Sequence, residues 1–74
     1  MANNIASERK RLGLSQTDLA SELSTTRDVI KNFEKGTTPI KSDMLQRMAD
    51  YFGCSMDYLL GRTDDRVSHL RMVG

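Results

Sequence analysis

The sequence predicts an all-α fold of five short helices. Apolar residues recur at three- and four-residue spacings, no strand-like alternation lasts more than a few residues, and Ser, Thr and Gly stand where helices begin and end. With 74 residues there is room for one domain, and 38% apolar with 28% charged residues is the composition of an ordinary folded globule. A core of this size seldom supplies more than about 3–5 kcal/mol. The lone Cys54 offers no internal disulfide, so stability has to come from well-packed helices, with dimerisation as an available aid.

The first helix is expected from about Asn4 to Leu12, with Ile5 and Leu12 a heptad apart and Gly13 in the place of a left-handed C-terminal residue. Arg9, Lys10 and Arg11 crowd its last turn, where cations complement the helix dipole. A second helix opens with Ser15 as N-cap and Asp18 three residues on, a weaker form of the capping box, and runs from Gln16 to Leu23 with Leu19, Ala20 and Leu23 as its apolar stripe. After Ser24 and Thr25, Thr26 caps a third helix, Arg27 to Lys35, which Gly36 ends. So short a connection forces the two helices to cross steeply. The fourth helix starts near Ser42, beyond the Pro39 turn, and Leu45, Met48, Ala49 and Phe52 fall at i, i+3, i+4 and i+7 before Gly53. Ser55 caps a last helix holding Met56, Leu59 and Leu60, with Gly61 after it. From Arg62 to Gly74 the chain is a charged tail with scattered Val67, Leu70, Met72 and Val73.

No apolar run approaches the roughly 18 residues of a membrane span, and Met1-Ala2-Asn3-Asn4 lacks a signal pattern, so a cytoplasmic protein is expected. The formal net charge is only +1, which argues against nucleic acid until the charges are placed. On the third helix, Val29, Ile30 and Phe33 share one face while Arg27, Lys31 and Lys35 form a stripe opposite, flanked by Asp28 and Asn32. Such a stripe is the default for any surface helix. Behind a short capped helix and a tight turn, however, it has the shape and chemistry of a helix that enters a DNA major groove, which is about 12 Å wide and presents acceptors to Arg and Lys, a paired site to Asn and a donor to Asp. Free N–H groups at Ser15, Gln16 and Thr17 suit a backbone phosphate.

These residues resemble a known family. Leu14-Ser15-Gln16, Leu19-Ala20, Phe33-Glu34-Lys35-Gly36 and Gly53-Cys54-Ser55-Met56-Asp57-Tyr58-Leu59-Leu60-Gly61 are similar to the Cro/CI-type helix-turn-helix family, also called the Xre family, of phage and bacterial repressors. The resemblance covers about Ile5 to Gly61. It implies a five-helix, lambda-repressor-like DNA-binding domain over residues 4–61, with helices two and three as the reading pair and a tail, 62–74, that is either flexible or dimerising. Thr26, Arg27, Asp28, Lys31 and Asn32 fall on the family's base-reading positions and Gln16 on its phosphate-contacting glutamine, while Arg9 and Glu34 occupy the places of a structural ion pair. Three positions depart from the pattern. Ser24 stands where relatives commonly place Gly, so the turn either holds a left-handed serine at about 1 kcal/mol or is shaped differently. Thr37 and Thr38 replace the usual basic residues after Gly36, leaving phosphate contact to these hydroxyls, Lys35 and Lys41. Glu8 replaces a commonly apolar residue, which argues against its burial.

Elsewhere structural explanations suffice. Cys54 falls on a small core position, Met44, Met48 and Met56 read as core filler, and Asp43 and Asp57 sit at helix starts. One His, His69, and one Cys cannot assemble a zinc site, and neither a nucleophile with its base nor a paired-carboxylate cleft is present, so neither an enzyme nor a metal or other cofactor is expected. The leading expectation is a sequence-specific regulator of double-stranded DNA, a repressor acting as a homodimer on an operator, with Met56, Tyr58, Leu59, Val67 and Leu70 as dimer candidates. The alternative is a protein-interaction module on the same fold, an antitoxin-like or anti-repressor partner with weak or no DNA binding, which the near-neutral charge favours slightly.

Overall fold

Hydroxyl caps set most of the helix starts. The computed structural model describes residues 3–67, and there five helices follow one another: α1 (Ile5–Arg11), α2 (Gln16–Glu22), α3 (Arg27–Lys35), α4 (Ser42–Phe52) and α5 (Met56–Leu59). No strand occurs among the described residues. Ser15, Thr26 and Ser55 take extended backbone and their hydroxyls accept from the N–H groups of Asp18, Val29 and Tyr58. At Ser15 the box is reciprocal, because the Asp18 carboxylate accepts from the Ser15 N–H at 3.0 Å, and this backbone bond holds the Asp18 carboxyl below its ordinary range. α4 starts without a side-chain cap, on Lys41.

The helix ends share one device. After each helix a left-handed residue lets two N–H groups turn back onto the last carbonyls, a Schellman arrangement. Four of these residues are Gly13, Gly36, Gly53 and Gly61, and the fifth is Ser24, with φ 57°. The turn between α2 and α3 is therefore glycine-like in shape but built on serine: the Ser24 N–H donates to the Ser21 carbonyl at 3.2 Å and the Thr25 N–H to the Ala20 carbonyl at 2.8 Å.

All five helices contribute to one core. Ile5 from α1, Leu19 and Ala20 from α2, Ile30 and Phe33 from α3, Leu45, Met48, Ala49 and Phe52 from α4, and Leu59 from α5 are buried together with Leu23 and Cys54. Met44 and Met56 pack against its edge. The N-terminal segment is tied down by side-chain amides, Asn3 to the Phe33 carbonyl at 2.8 Å and Asn4 to the Tyr58 carbonyl at 2.7 Å.

Two expectations for α1 are overturned. Leu12, the C-cap of α1, still donates its N–H to the Glu8 carbonyl at 3.2 Å but is 40% exposed, so it does not join Ile5 in the core. Glu8 is only 2% exposed despite its charge. Its carboxylate accepts from Arg66 Nε at 3.0 Å, Arg66 Nη2 at 2.6 Å and Arg11 Nη2 at 3.0 Å, so the buried charge is paired on both oxygens. Both arginines also donate to the Phe52 carbonyl, and the Ser55 N–H donates to the Arg66 carbonyl at 2.9 Å, so residues that follow α5 close over the junction of α1 and α4.

Candidate nucleic-acid interface

α3 is amphipathic in the strict sense. Ile30 and Phe33 are buried and Val29 is half-buried, while Arg27, Asp28, Lys31, Asn32 and Lys35 are all exposed. Thr26, the N-cap, is exposed beside them, so the six residues form a continuous polar surface along one helix. Three cations, an amide, a hydroxyl and one carboxylate can donate to or accept from base edges in a groove that a single helix fits. Lys35 lies in the last turn, where its charge also complements the helix dipole.

The start of α2 meets the end of α3. Arg9 Nε donates to Glu34 Oε2 at 2.7 Å, Arg9 Nη2 to Oε1 at 3.3 Å, and Gln16 Nε2 to Oε1 at 3.0 Å. Arg9 Nη1 donates in addition to the Leu14 carbonyl at 2.9 Å. The Arg9 and Glu34 side chains are 13% and 10% exposed, so the pair is largely removed from water and fixes α1 against the reading pair. Ser15 and Thr17 are exposed and Gln16 is half-buried. Ser15 spends both its N–H and its hydroxyl oxygen on the capping box with Asp18, so its N–H is not free for a phosphate as expected, and only its O–H remains to donate.

The connection between α2 and α3 is supported from α4, where Arg47 Nη2 donates to the Leu23 carbonyl at 2.9 Å. No spacing pattern singles out Arg47, which lies on the exposed side of α4 and reaches a carbonyl 24 residues away. Beyond Gly36 the remaining polar candidates spread over a loop. Thr37 Oγ1 makes a long bond to the Asn32 carbonyl at 3.4 Å, and Thr38 and Lys41 line a groove of about 320 Å³ together with Val29, Phe33, Pro39, Asp43, Met44 and Arg47. Thr37, Thr38 and Lys41 are exposed, on the stretch that follows Lys35 and the charged face of α3.

Of the five dimer candidates, four lie among the described residues. Leu59 is 0% exposed, a core residue that offers no surface to a partner, contrary to its expected place among the dimer candidates. Met56, Tyr58 and Val67 are half-buried, and Leu70 lies outside the described residues, as does His69. Among the described residues no helix is long and apolar enough to cross a membrane, and no group of His, Cys, Asp and Glu is placed to hold a metal ion.

A family model described as helix-turn-helix matches residues 5–59, from the start of α1 to the end of α5. No solved structure matches the chain.

Proposed function

Because the chain belongs to the Cro/CI-type, or Xre, helix-turn-helix family of DNA-binding domains, we propose that it is a cytoplasmic, sequence-specific transcriptional repressor that reads the major groove of an operator with α3 as a homodimer. The observation that carries this reading is the exposed face of α3, where Arg27, Asp28, Lys31 and Asn32 stand opposite buried Ile30 and Phe33. Thr26 lies at the entry to the same face. Arg27 and Lys31 are assigned to base edges. Ser15, Gln16, Thr17, Lys35, Thr37, Thr38 and Lys41 are assigned to the phosphates on either side of the groove.

The formal net charge of +1 is what a protein-interaction module on the same fold would also show. Binding to random duplex DNA at two salt concentrations separates the two. A DNA reader loses affinity with a log–log slope of about −0.9 per phosphate contact, whereas an interaction module gives no binding to titrate. Once a preferred sequence has been selected from a randomised duplex pool, Arg27→Ala should cost about 1–3 kcal/mol on it and relax the preference. Equal binding of every sequence by parent and variant would remove α3 from the role of reader.

A further inference from the structure

We propose that Glu34 is a positioning residue for DNA binding: its carboxylate aims the amide nitrogen of Gln16 toward a backbone phosphate, while Arg9 cancels the carboxylate's charge. The inference rests on the DNA-binding reading above and assigns to Glu34 a role beyond its ion pair. Arg9 alone would satisfy a structural pair, through Nε at 2.7 Å and Nη2 at 3.3 Å. The third donor, Gln16 Nε2 at 3.0 Å, comes from the first residue of α2, and no salt bridge requires it.

A carboxylate only accepts, so the Gln16 side chain has to present nitrogen rather than oxygen toward Glu34. One Nε2 hydrogen is then spent on Glu34, and the other is left for an acceptor outside. A phosphate oxygen is such an acceptor. A free glutamine side chain loses rotamer freedom when it binds, up to about 2 kcal/mol for the most flexible side chains, and the Glu34 bond removes part of that loss beforehand. The charge is handled by the same cluster. An unpaired carboxylate next to the first turn of α2 would repel a phosphate, and Arg9, itself held by the Leu14 carbonyl at 2.9 Å, neutralises it in place.

The test is a double-mutant cycle on DNA affinity, with folding of each variant checked by circular dichroism. In the parent, Gln16→Ala should weaken binding to duplex DNA about tenfold, the effect of losing one hydrogen bond to a charged group. In a Glu34→Ala background the same change should cost no more than about threefold, because the amide is no longer aimed. A purely structural Glu34 would lower stability and leave the Gln16 factor unchanged, so equal factors in both backgrounds overturn the proposal. Should Glu34→Ala not fold, Arg9→Met with Glu34→Leu removes both charges together, a replacement that buried pairs often tolerate, and the same comparison applies. NMR of the parent without DNA supplies a readout that needs no variant: the Gln16 Nε2 protons should lie away from the positions of a solvated glutamine, and resonances at those positions overturn the proposal. If the parent binds no duplex at all, the DNA-binding reading fails and this proposal with it, an outcome distinct from equal factors in a parent that binds.

Discussion

The carboxylate of Glu8 is buried, and two guanidinium groups, from Arg66 and Arg11, reach it from different parts of the chain. The hydrogen bond from Arg66, opposed by desolvation and joined by the bond from Arg11, holds the Glu8 carboxyl below its ordinary value of 4.5. A carboxyl depressed in the folded state contributes stability that is fully present above the unfolded value and is lost as pH falls through the folded value. Acid should therefore weaken the fold below about pH 4.5, and Glu8→Gln should flatten that part of the profile. Arg66→Ala leaves Glu8 with Arg11 alone and should cost about 1–3 kcal/mol at pH 7. It should also move the onset of acid unfolding to higher pH. Urea denaturation at pH 7, 5 and 3 reads both effects, and an unchanged Arg66→Ala profile would mean that the residues after α5 do not hold Glu8. Nothing local forecasts this cluster, because Arg66 lies 58 residues from its partner, and a charged residue within α1 reads as surface until that partner is known. Cys54 behaves as the sequence implies, a small buried hydrophobe. Burial, with the nearby charge of Glu8, pushes its thiol up to about 11, so it stays protonated at pH 8. Its reaction with a disulfide reagent should proceed at the rate of global opening and accelerate with urea, and fast labelling of the native protein would contradict its burial.

Helix boundaries were legible because they depend on chemistry within four residues. Ser15, Thr26 and Ser55 announce starts, and Gly13, Gly36, Gly53 and Gly61 announce ends, each through one side chain or one left-handed residue. The amphipathic pattern of α3 was legible for the same reason, since its buried and exposed faces follow from spacing alone. Leu12 keeps the heptad relation to Ile5 yet is 40% exposed as the C-cap of α1, so spacing alone does not place a residue in the core at a helix end. The sequence allows the turn before α3 two shapes, and Ser24 takes the glycine-like one at φ 57°. The backbone bonds of Ser24 and Thr25 to the end of α2 explain why: they satisfy two carbonyls that would otherwise lack partners. A left-handed L-residue costs roughly 1–2 kcal/mol, part of which glycine returns as chain entropy in the unfolded state. Ser24→Gly should accordingly raise stability by up to about 1 kcal/mol, measured as a higher urea midpoint at unchanged slope. It should leave DNA affinity within about twofold, because Ser24 lies outside the charged face of α3. A destabilised variant would show that the serine side chain makes a contribution larger than its backbone strain.

At the scale of the whole molecule, a net charge of +1 and a cationic helix face are compatible because the anions are placed elsewhere or neutralised. Glu8 and Glu34 are each tied to arginines within the fold, and Asp18 caps α2 through its backbone bond to Ser15. The exposed stripe of Arg27, Lys31 and Lys35 keeps its charge, with Asp28 alone at its edge. Long-range attraction of DNA to such a chain is modest, since it scales with net charge, whereas the contact surface itself remains positive. One module of this size buries only about 600–1,000 Å² of its own surface on DNA, so the proposed repressor gains useful affinity by engaging two half-sites at once, the second contact being made at a high effective concentration. That demand fixes the geometry of the site. Half-sites centred about 34 Å apart lie on one face of the duplex, and inserting about 5 bp between them turns one to the opposite face. We expect a duplex with two correctly spaced half-sites to bind about a hundredfold more tightly than one with a single half-site, and the insertion to erase that gain. Affinity measured on the three duplexes, with sedimentation to count the chains on each, decides the matter. Equal affinity for one and two half-sites, with one chain bound per site, would leave the helix-turn-helix reading of α3 in place and remove the dimer.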